Sequence, residues 1–475
     1  MARTKILATL GPASVDKIEE LIEAGVDGFR FNLAHKLNQE STIEEDYKIR
    51  GQLAEKIRSL DENVFLSADL EGPKIRFGYF ESLNIHTGDE VCLVPNSIYQ
   101  GKGVPIQFEE LYKYVKEGNV LLVDDGKANL RVKGVDNKER VITCIVEYGD
   151  VLKSRKGINL PGTKIPLPNF SENDMSHIKF LIENDFDFIF PSYTRTAQVI
   201  RELKEKVKGT GIKIGGKPEN EEGTDNLEEI INEADIMMVP RGDWGMEVGV
   251  ENVPAFQKRT IERCNILGKP VITATQMAES MMESREMKRA ESTDIFNSCL
   301  DGTDITMLSG ETSIGKYPLE TVSAMNKVLE KAEEYLFDER SGVNLGETMN
   351  KLIKEESIAD TISKAVYTLS KNSRIKAILV PTSTGYTARM IARFRIEKPV
   401  VALAYNEKVR RQLNAVWGVR ALLTEQKGEN DIVENSIRAS KQNGYVKQGD
   451  KVIVTAGFGN SGKGSTNTIR IEDVG

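Results

Sequence analysis

Three charged residues follow directly after two predicted β-strands, in a pattern that could hold a metal ion beside a cation. Lys217 and Glu219 follow the short apolar run 212–216, and Asp243 follows the apolar run 235–239. The residues between the two runs have apolar side chains at helical spacing, so the segment predicts a strand–helix–strand unit. Because neighbouring parallel strands end side by side, the two carboxylates could converge on one hard cation.

This pattern has a chemical interpretation and a structural one. Two carboxylates with open coordination positions suit Mg²⁺, and Mg²⁺ beside a lysine suits phosphoryl transfer. An ordinary surface ion pair at the tips of two loops is equally consistent with the spacing. The elements that would position these residues must decide between the two.

The composition of the chain limits the classes of function. With 475 residues, 39% hydrophobic and 29% charged, the chain is long enough for two or three soluble globular domains. The net charge is −8 and the pI is about 5.4, which argues against nucleic acid as a partner. No apolar run approaches the roughly 18 residues of a membrane span, and the N-terminal sequence MARTKILATLGPAS lacks a signal peptide. We therefore expect a cytoplasmic protein with no membrane partner.

Cysteine and histidine are too scattered to build the common metal or nucleophile sites. The four cysteines contain no close pair, so they predict neither a zinc cluster nor a disulfide framework. The three histidines are far apart and lack metal-ligand spacing. A histidine-based zinc site or a Ser–His–Asp triad is therefore not expected.

Eight short apolar runs alternate with amphipathic helical segments along the first 336 residues, which is the strand count of a TIM barrel. Between the third and fourth runs, an insertion of alternating apolar and polar residues with Gly- and Asp-rich turns predicts a small antiparallel β-domain. A polar stretch, 338–350, has the composition of a linker, and about five further strands follow it. The predicted architecture is α/β: a (β/α)8 TIM barrel, 1–76 and 161–340, an inserted small β-barrel lid domain, 77–160, and a C-terminal α/β regulatory domain, 345–475.

Several glycine-rich stretches resemble nucleotide-binding motifs but lack a required part. Gly457, Gly459 and Gly462 have G-x-G-x-x-G spacing, yet a predicted strand follows them, so no helix N-terminus could receive a pyrophosphate. Two P-loop-like stretches lack the Ser or Thr after the lysine. The loop 457–466 and the segment STGYT, 383–387, could still offer backbone N–H groups to a phosphate, and simple turns explain them equally well.

Nine segments resemble, in the same order, the signature segments of the pyruvate kinase family. The run 269–318 is the most specific, because TATQM is followed by LSGETSIGKYP. The resemblance covers essentially the whole chain and implies a TIM barrel, a lid domain inserted after the third strand and a C-terminal regulatory domain. It also implies transfer of the phosphoryl group of phosphoenolpyruvate to ADP in glycolysis, giving pyruvate and ATP. The segments are TKILATLGPAS, FRFNLAH, ADLEGPKIR, VDDG, KGINLPG, KPENEEG, VPRGDWGMEVG, KPVITATQM and LDGTDITMLSGETSIGKYP.

The resemblance assigns substrate and metal roles to five positions. Glu219 and Asp243 are similar to the carboxylates that hold the divalent ion, Mg²⁺ or Mn²⁺. Lys217 is similar to the catalytic cation at the transferring phosphoryl group, and Arg30 to the arginine that binds the substrate phosphate. Thr275 matches the hydroxyl beside the carbon that is protonated. The backbone N–H groups of Gly242 and Asp243 would receive the substrate carboxylate.

A second group of positions resembles the nucleotide and lid residues of the family. Arg76, which is also assigned a catalytic role, His35 and Asn32 occupy positions associated with the nucleotide. Asp125 and Lys156 match lid residues that reach the site when the small domain closes and excludes water.

The monovalent-cation site departs from the pattern of K⁺-dependent members. Asn32 and Asp69 remain, but Ala34 and Leu70 replace the usual Ser and Thr, and Lys74 replaces a Glu. An ammonium is a compact cation that could take the role of K⁺. We therefore expect activity without K⁺; the alternative is a weakened site with Lys74 pointing to solvent.

The C-terminal loops match the region where family members bind phosphorylated allosteric effectors. The sequence leaves open which effector binds, or whether the site is vestigial, and a homotetramer is the oligomer that the resemblance implies. A different Mg²⁺-dependent TIM-barrel enzyme and a catalytically silent metabolite sensor are the competing hypotheses. The candidate effector residues are Ser383, Thr384, Gly385, Thr387, Ser461 and Thr466.

Overall fold

The computed structural model describes residues 2–38, 40–124, 126–354, 357–425, 431–457 and 466–475. Its central unit is a closed barrel of eight parallel strands, as the apolar runs predicted. In chain order these first to eighth barrel strands are Lys5–Thr9, Gly28–Asn32, Phe65–Asp69, Phe188–Phe190, Lys213–Gly216, Ile236–Pro240, Val271–Ala274 and Ile305–Leu308.

An outer layer of helices covers the barrel, and local signals mark where they begin. Helix Ile43–Leu60 begins at a capping box in which Thr42 and Glu45 satisfy each other's backbone N–H groups. The helices of this layer are Ile18–Ala24, Ile43–Leu60, Glu172–Glu183, Ala197–Lys206, Leu227–Glu233, Val253–Ile266, Arg289–Asp301 and Pro318–Leu336. Short turns follow some strand ends: Glu221–Asp225, Arg241–Trp244, the π-helical turn Gly245–Gly249, Glu279–Met282 and Gly310–Ser313.

Alternation along the strands divides the apolar side chains into two cores. One set fills the inside of the barrel, for example Phe65, Phe188, Met238 and Ile272. The other set lies between the strands and the outer helices, for example Leu66. Because the barrel interior is closed by its own side chains, only the residues at the strand ends are free to form a site.

The insertion after the third barrel strand forms a six-stranded sheet and a two-stranded sheet, and it has its own core. Its strands are Leu83–Asn84, Glu90–Pro95, Val104–Ile106, Val120–Val123, Ala128–Asp136, Val141–Tyr148, Val151–Leu152 and Ile158–Asn159, and single 3₁₀ turns lie at Asn96–Ile98 and Leu111–Lys113. The main sheet has six strands, and all pairs are antiparallel except Glu90–Pro95 with Val104–Ile106. Arg76 and Phe77 bridge to Gly157 and Ile106, which joins the two edges of the sheet at the base of the lid.

The C-terminal unit is a five-stranded sheet with helices on its faces. Four strands are parallel and the last pairs antiparallel at one edge. The strands are Ile375–Thr382, Val400–Ala404, Val419–Leu423, Lys451–Ala456 and Thr468–Asp473. The helices are Leu345–Leu352, Ile358–Ser370, Tyr386–Ala392, Glu407–Leu413 and Ile432–Gln442.

The linker predicted at 338–350 is wrong in part, because its second half is helical. A 3₁₀ turn, Glu339–Ser341, is followed by helix Leu345–Leu352. Asn344 caps this helix by accepting from the N–H of Glu347. Met349 of this helix is buried in the C-terminal core. The otherwise polar composition of the segment gave no indication of this packing. The exact limits of the three domains stay predictions.

The C-terminal unit packs against the amino-terminal ends of the barrel strands through buried ion pairs. Asp304 accepts from Arg395 Nη1 at 2.8 Å and from the backbone N–H of Trp417 at 3.1 Å. Asp187 accepts from Arg411 Nε at 2.9 Å. These contacts lie at the end of the barrel opposite to the predicted site. No helix in the described part of the chain is long and apolar enough to cross a membrane.

Candidate active site

A buried arginine–carboxylate pair lies at the carboxyl ends of the second and third barrel strands. Arg30 donates to both oxygens of Asp69, with Nε–Oδ1 at 2.9 Å and Nη2–Oδ2 at 2.8 Å. Its remaining Nη1 donates to Thr9 Oγ1 at 3.1 Å. The two residues are at most 6% exposed. A two-pronged pair of this kind fixes the guanidinium plane and leaves it facing the strand ends.

Lys217 joins this pair from the end of the fifth barrel strand. Its ammonium lies 3.0 Å from Asp69 Oδ2, 2.7 Å from Glu219 Oε1 and 3.3 Å from Ser192 Oγ. Although burial disfavours the charged form, the two carboxylates raise the pKa of Lys217 above its usual value. The lysine is therefore a permanent cation at neutral pH, which suits binding of an anion and excludes a role as a neutral base.

Two carboxylates face this cationic group from neighbouring strand ends. Glu219 is 4% exposed, and its Oε2 accepts from the backbone N–H of Tyr193 at 2.6 Å. Asp243 is half-buried in the short helix Arg241–Trp244, and it acts electrostatically on both Arg30 and Lys217. The two side chains predicted from the spacing therefore come to the same place. Two carboxylates with hard oxygen donors and solvent on one side fit a divalent ion such as Mg²⁺ that keeps several water ligands.

Thr275 lies on the opposite side of the site in a conformation that few residues adopt. Its φ is 65° and that of Gln276 is 55°, both in the left-handed region, which costs a β-branched residue about 1–3 kcal/mol. Thr275 Oγ1 accepts from the backbone N–H of Gly242 at 2.8 Å and donates to Ala274 O at 2.7 Å. The strained turn thus aims the hydroxyl at the helix that begins at Arg241.

Arg241 holds this turn in place, and the sequence prediction missed it. Its guanidinium donates to Ala274 O at 3.0 Å, to Thr275 O at 2.5 Å and to Asp294 Oδ2 at 2.6 Å. Arg241 is 9% exposed. An arginine directly after an apolar strand was the available signal, but burial of its side chain could not be foreseen.

Ser192 and Tyr193 also contact the candidate site, and the sequence did not single them out. Ser192 Oγ donates to Leu70 O at 2.8 Å and accepts from Lys217, so it links the third strand to the lysine. The N–H of Tyr193 holds Glu219. Both residues follow the fourth barrel strand, where residues at strand ends commonly carry function.

The turn around Lys217 is packed tightly at Gly216 and Pro218. A Cβ on Gly216 would lie 2.5 Å from Met237 Sδ and 2.8 Å from Ile230 Cγ2, so a larger residue needs a different neighbour. The carbonyl of Pro218 accepts from the buried Trp244 indole at 2.6 Å. These contacts connect the turn of Glu219 with the helix of Asp243.

The predicted nucleotide residues lie on two separate elements. Asn32 ends the second strand and His35 follows it: Asn32 Oδ1 accepts from Ala34 N at 3.1 Å, and His35 O accepts from Arg50 at 2.6 Å. Arg76 lies at the base of the lid, where its Nη2 donates to Glu71 Oε1 at 3.3 Å.

The lid loop approaches the barrel beside this base. Lys156 pairs with Asp124 at 2.8 Å, and Asp124 also pairs with Lys127 at 3.2 Å. Although burial acts in the opposite direction, these lysines lower the pKa of Asp124 below its usual value. The predicted lid residue Asp125 lies outside the described residues.

The residues assigned to the monovalent-cation site are held by protein groups. Both oxygens of Asp69 accept from Arg30, and Lys217 contacts one of them. Leu70 is 1% exposed. The side chain of Lys74 lies along Gly157, where a Cβ would collide with Lys74 Cε.

The candidate effector loops meet at the end of the C-terminal sheet. Gly385 has a φ of 76° and donates its N–H to Thr382 Oγ1 at 2.8 Å. The hydroxyls of Thr387 and Thr466 lie 2.6 Å apart, and Thr384 O accepts from Arg389 at 3.3 Å. Ser383 is exposed, and Ser461 lies outside the described residues.

Comparison with known proteins gives one consistent result. The family model for the pyruvate kinase barrel domain matches residues 1–322, and that for the pyruvate kinase alpha/beta domain matches residues 360–472. The pyruvate kinase of Lactobacillus delbrueckii subsp. bulgaricus is 37% identical over 490 residues, and that of Staphylococcus aureus (strain MRSA252) is 36% identical over 492. Each alignment covers 100% of this chain and 81% of the relative. The chain therefore belongs to the pyruvate kinase family, and it is a phosphotransferase.

Proposed function

We propose that the enzyme transfers the phosphoryl group of phosphoenolpyruvate to ADP, giving pyruvate and ATP as a step of glycolysis. The buried group of Arg30, Asp69, Lys217 and Glu219 carries the proposal, because it presents two fixed cations at one edge of the barrel. In phosphoryl transfer the protein contributes mainly position and charge neutralisation. Arg30 and Lys217 would bind the phosphoryl oxygens before and during transfer.

Glu219 and Asp243 would hold the divalent ion, Mg²⁺ or Mn²⁺. When bound, this ion supplies neutralisation of the substrate charge that develops during transfer. The N–H of Tyr193 fixes Glu219, and the helix Arg241–Trp244 fixes Asp243. Glu219 would exchange its contact with Lys217 for the ion, while the N–H of Tyr193 keeps the carboxylate in place.

Thr275 is proposed to act where the enolate carbon receives its proton. In this structure its hydroxyl accepts the N–H of Gly242. A substrate carboxylate that accepts the N–H groups of Gly242 and Asp243 would compete for that donor and leave the Thr275 hydroxyl held only by its bond to Ala274 O. The strain at Thr275 keeps the hydroxyl aimed at this position.

The nucleotide would enter between the second strand and the lid. Asn32, His35 and Arg76 are proposed to contact it, and Lys156 and Asp125 to approach when the lid closes. Closure of such a domain excludes water, so the phosphoryl group passes to ADP rather than to solvent.

We propose further that the enzyme needs no K⁺ and that Lys74 supplies the monovalent charge. Ala34 and Leu70 offer no side-chain oxygen, and Asp69 already carries two protein cations. Gly157 leaves room for the long Lys74 side chain at the base of the lid. We expect full activity when choline replaces K⁺, and a requirement for K⁺ in Lys74→Glu. Activation of the unchanged enzyme by K⁺, with choline at equal ionic strength, contradicts the proposal.

Allosteric control by a phosphorylated effector and a homotetrameric assembly are also proposed. Hydroxyls and loop N–H groups at Gly385, Thr387 and Thr466 support a phosphate site. The homotetramer is the assembly that membership of the family implies. Titration calorimetry with sugar phosphates and nucleoside monophosphates tests the first proposal, and light scattering tests the second.

The decisive test is ADP-dependent formation of pyruvate from phosphoenolpyruvate with Mg²⁺ in buffer free of K⁺. Turnover that disappears in Lys217→Ala supports the catalytic assignment. Turnover that survives this substitution contradicts it. A folded protein that shows no turnover both in this buffer and in the same buffer with K⁺ favours the competing function of a silent metabolite sensor.

A further inference from the structure

Glu247 contacts two segments that are distant in sequence and that both border the proposed metal site. It lies in the π-helical turn Gly245–Gly249, directly after the helix that carries Asp243. Its Oε1 accepts from Asn159 Nδ2 at 2.8 Å, and the backbone N–H of Glu221 acts electrostatically on its carboxylate. One half-buried side chain therefore connects three backbone segments.

Each connected segment has a separate part in the proposed reaction. Glu221 is the first residue of the short helix that follows Glu219, and Asn220 caps that helix by accepting the N–H of Gly223 at 2.9 Å. Asn159 ends the strand through which the lid returns to the barrel, and it is 4% exposed. Glu247 itself continues the turn of Asp243.

The same turn lies close to the lid at a second point, the loop that follows the strand Val120–Val123. A Cβ on Gly126 would lie 3.8 Å from the sulfur of Met246, the residue before Glu247. Because Val123 pairs with Ile158, this loop and Asn159 lie at the same end of the lid, and both lie beside one π-helical turn. Single π-helical turns interrupt the regular helix at a cost and are frequently found at functional sites.

We propose that Glu247 is a positioning residue that couples closure of the lid to the arrangement of the metal carboxylates Glu219 and Asp243. The proposal rests on the function proposed above, since it assumes that these two residues hold the divalent ion. When the return strand carries Asn159 into place, the contact to Glu247 fixes the turn of Asp243. The attraction between the Glu247 carboxylate and the N–H of Glu221 holds the turn of Glu219 in the same movement.

A carboxylate suits this position better than an amide of similar shape. Each of its two oxygens can face one N–H donor, whereas an amide has one acceptor oxygen and an NH₂ group that cannot accept. Burial raises the pKa of the Glu247 carboxyl, and so do the charges of Glu221 and Glu219. The Asn159 amide and the N–H of Glu221 act in the opposite direction. Residues of this kind, which orient metal ligands without touching the metal, typically change metal affinity or activity about 10- to 100-fold when replaced.

The test measures binding of Mn²⁺ by electron paramagnetic resonance in the presence and absence of ADP, together with turnover. We expect Glu247→Ala and Asn159→Ala each to weaken Mn²⁺ binding about tenfold and to raise KM for ADP. Glu247→Gln should fall between Glu247→Ala and the unchanged enzyme. The two alanine substitutions should not add in the double variant, because they remove the same contact.

Glu221→Gln is the matched control. It removes a neighbouring carboxylate but keeps the backbone N–H that faces Glu247, so Mn²⁺ binding should stay within about twofold of the unchanged enzyme. Loss of melting temperature in Glu247→Ala with unchanged Mn²⁺ binding and KM would show a purely structural role and overturn the proposal. Additive effects in the double variant would overturn the coupling to the lid. Because Mn²⁺ binding needs no turnover, failure of the proposed reaction is seen separately.

Discussion

Two buried lysines lie at opposite ends of the same barrel, and their surroundings shift their pKa values in opposite directions. Lys217, at the carboxyl ends of the strands, contacts the carboxylates of Asp69 and Glu219. Lys5, in the first strand, contacts one carboxylate, Asp27 at 3.2 Å, and the amide oxygen of Asn414 at 3.2 Å. Burial lowers the pKa of Lys5 despite Asp27, whereas the two carboxylates overcome burial at Lys217 and raise its pKa.

This difference in surroundings distinguishes charges that connect two structural units from charges that form the candidate active site. At the amino-terminal end, the charges connect the barrel to the C-terminal unit: Asp304 pairs with Arg395, and Asp187 with Arg411. At the carboxyl end, the charges belong to the barrel alone and face the half-buried Asp243. Removing a charge should therefore affect stability at the first end and turnover at the second.

The largest effect is expected from Lys217→Met. Loss of the fixed cation should lower kcat by about a thousandfold, since one electrostatic contact of this kind supplies about 10²–10³ in rate. Stability should fall less than when a buried charge loses every partner, because Asp69 keeps Arg30 and Glu219 keeps the N–H of Tyr193. Steady-state kinetics and calorimetry check both parts. A large fall in melting temperature would show that Lys217 is a structural charge like those at the other end.

The matching change at the other end is Asp304→Asn. It leaves Arg395, whose side chain is 2% exposed, without a charged partner, and breaking a buried pair costs about 3–5 kcal/mol. Denaturation by urea should show this loss, while kcat per folded enzyme stays within about twofold of the original. Asp294→Asn is not an equivalent control, because Asp294 holds Arg241 beside the active site. A fall in kcat without a loss of stability would erase the distinction between the two ends.

The sequence predicted the barrel more fully than the contacts inside the site. Eight short apolar runs were enough to predict all eight strands, because strands that are buried on both faces have near-continuous apolar sequences. The ends of those strands then located Lys217, Glu219 and Asp243. The helix Leu345–Leu352 was missed because one buried methionine does not outweigh a polar composition.

The residues that support the site residues could not be predicted from the sequence, for a different physical reason. Arg241, Ser192 and Glu247 act through contacts with residues far away in the chain, at separations from 25 to 88 positions. Such contacts depend on how the strands are arranged around the barrel and on rotamers, neither of which leaves a local pattern. The strain at Thr275 is equally invisible, since its positive φ is imposed by the surrounding turn.

A smaller effect is expected in acid, from Asp69. Burial would raise its pKa, but Arg30 and Lys217 hold the pKa at about 2, against 3.8 in an unfolded chain. The carboxylate then contributes about 2 kcal/mol of stability that is fully present above about pH 4 and is lost as the pH falls towards 2. Urea denaturation of the unchanged enzyme and of Asp69→Asn across this range checks the prediction. The difference between the two should shrink with falling pH, and a constant difference would contradict it.

The smallest effect should appear in alkali and should have opposite signs at the two lysines. Because the pKa of Lys5 is lowered in the folded enzyme, the unfolded chain binds the proton more tightly. Stability therefore rises with pH between the lowered value and 10.5, whereas Lys217, with its raised pKa, loses its contribution only above 10.5. Lys5→Met should be tolerated best near pH 7, and its stability relative to the unchanged enzyme should decline as the pH rises to 10. Lys217→Met should show no such decline over this range. The same pH dependence of stability in the two variants would mean that the two ends of the barrel shift the pKa of a buried lysine in the same direction.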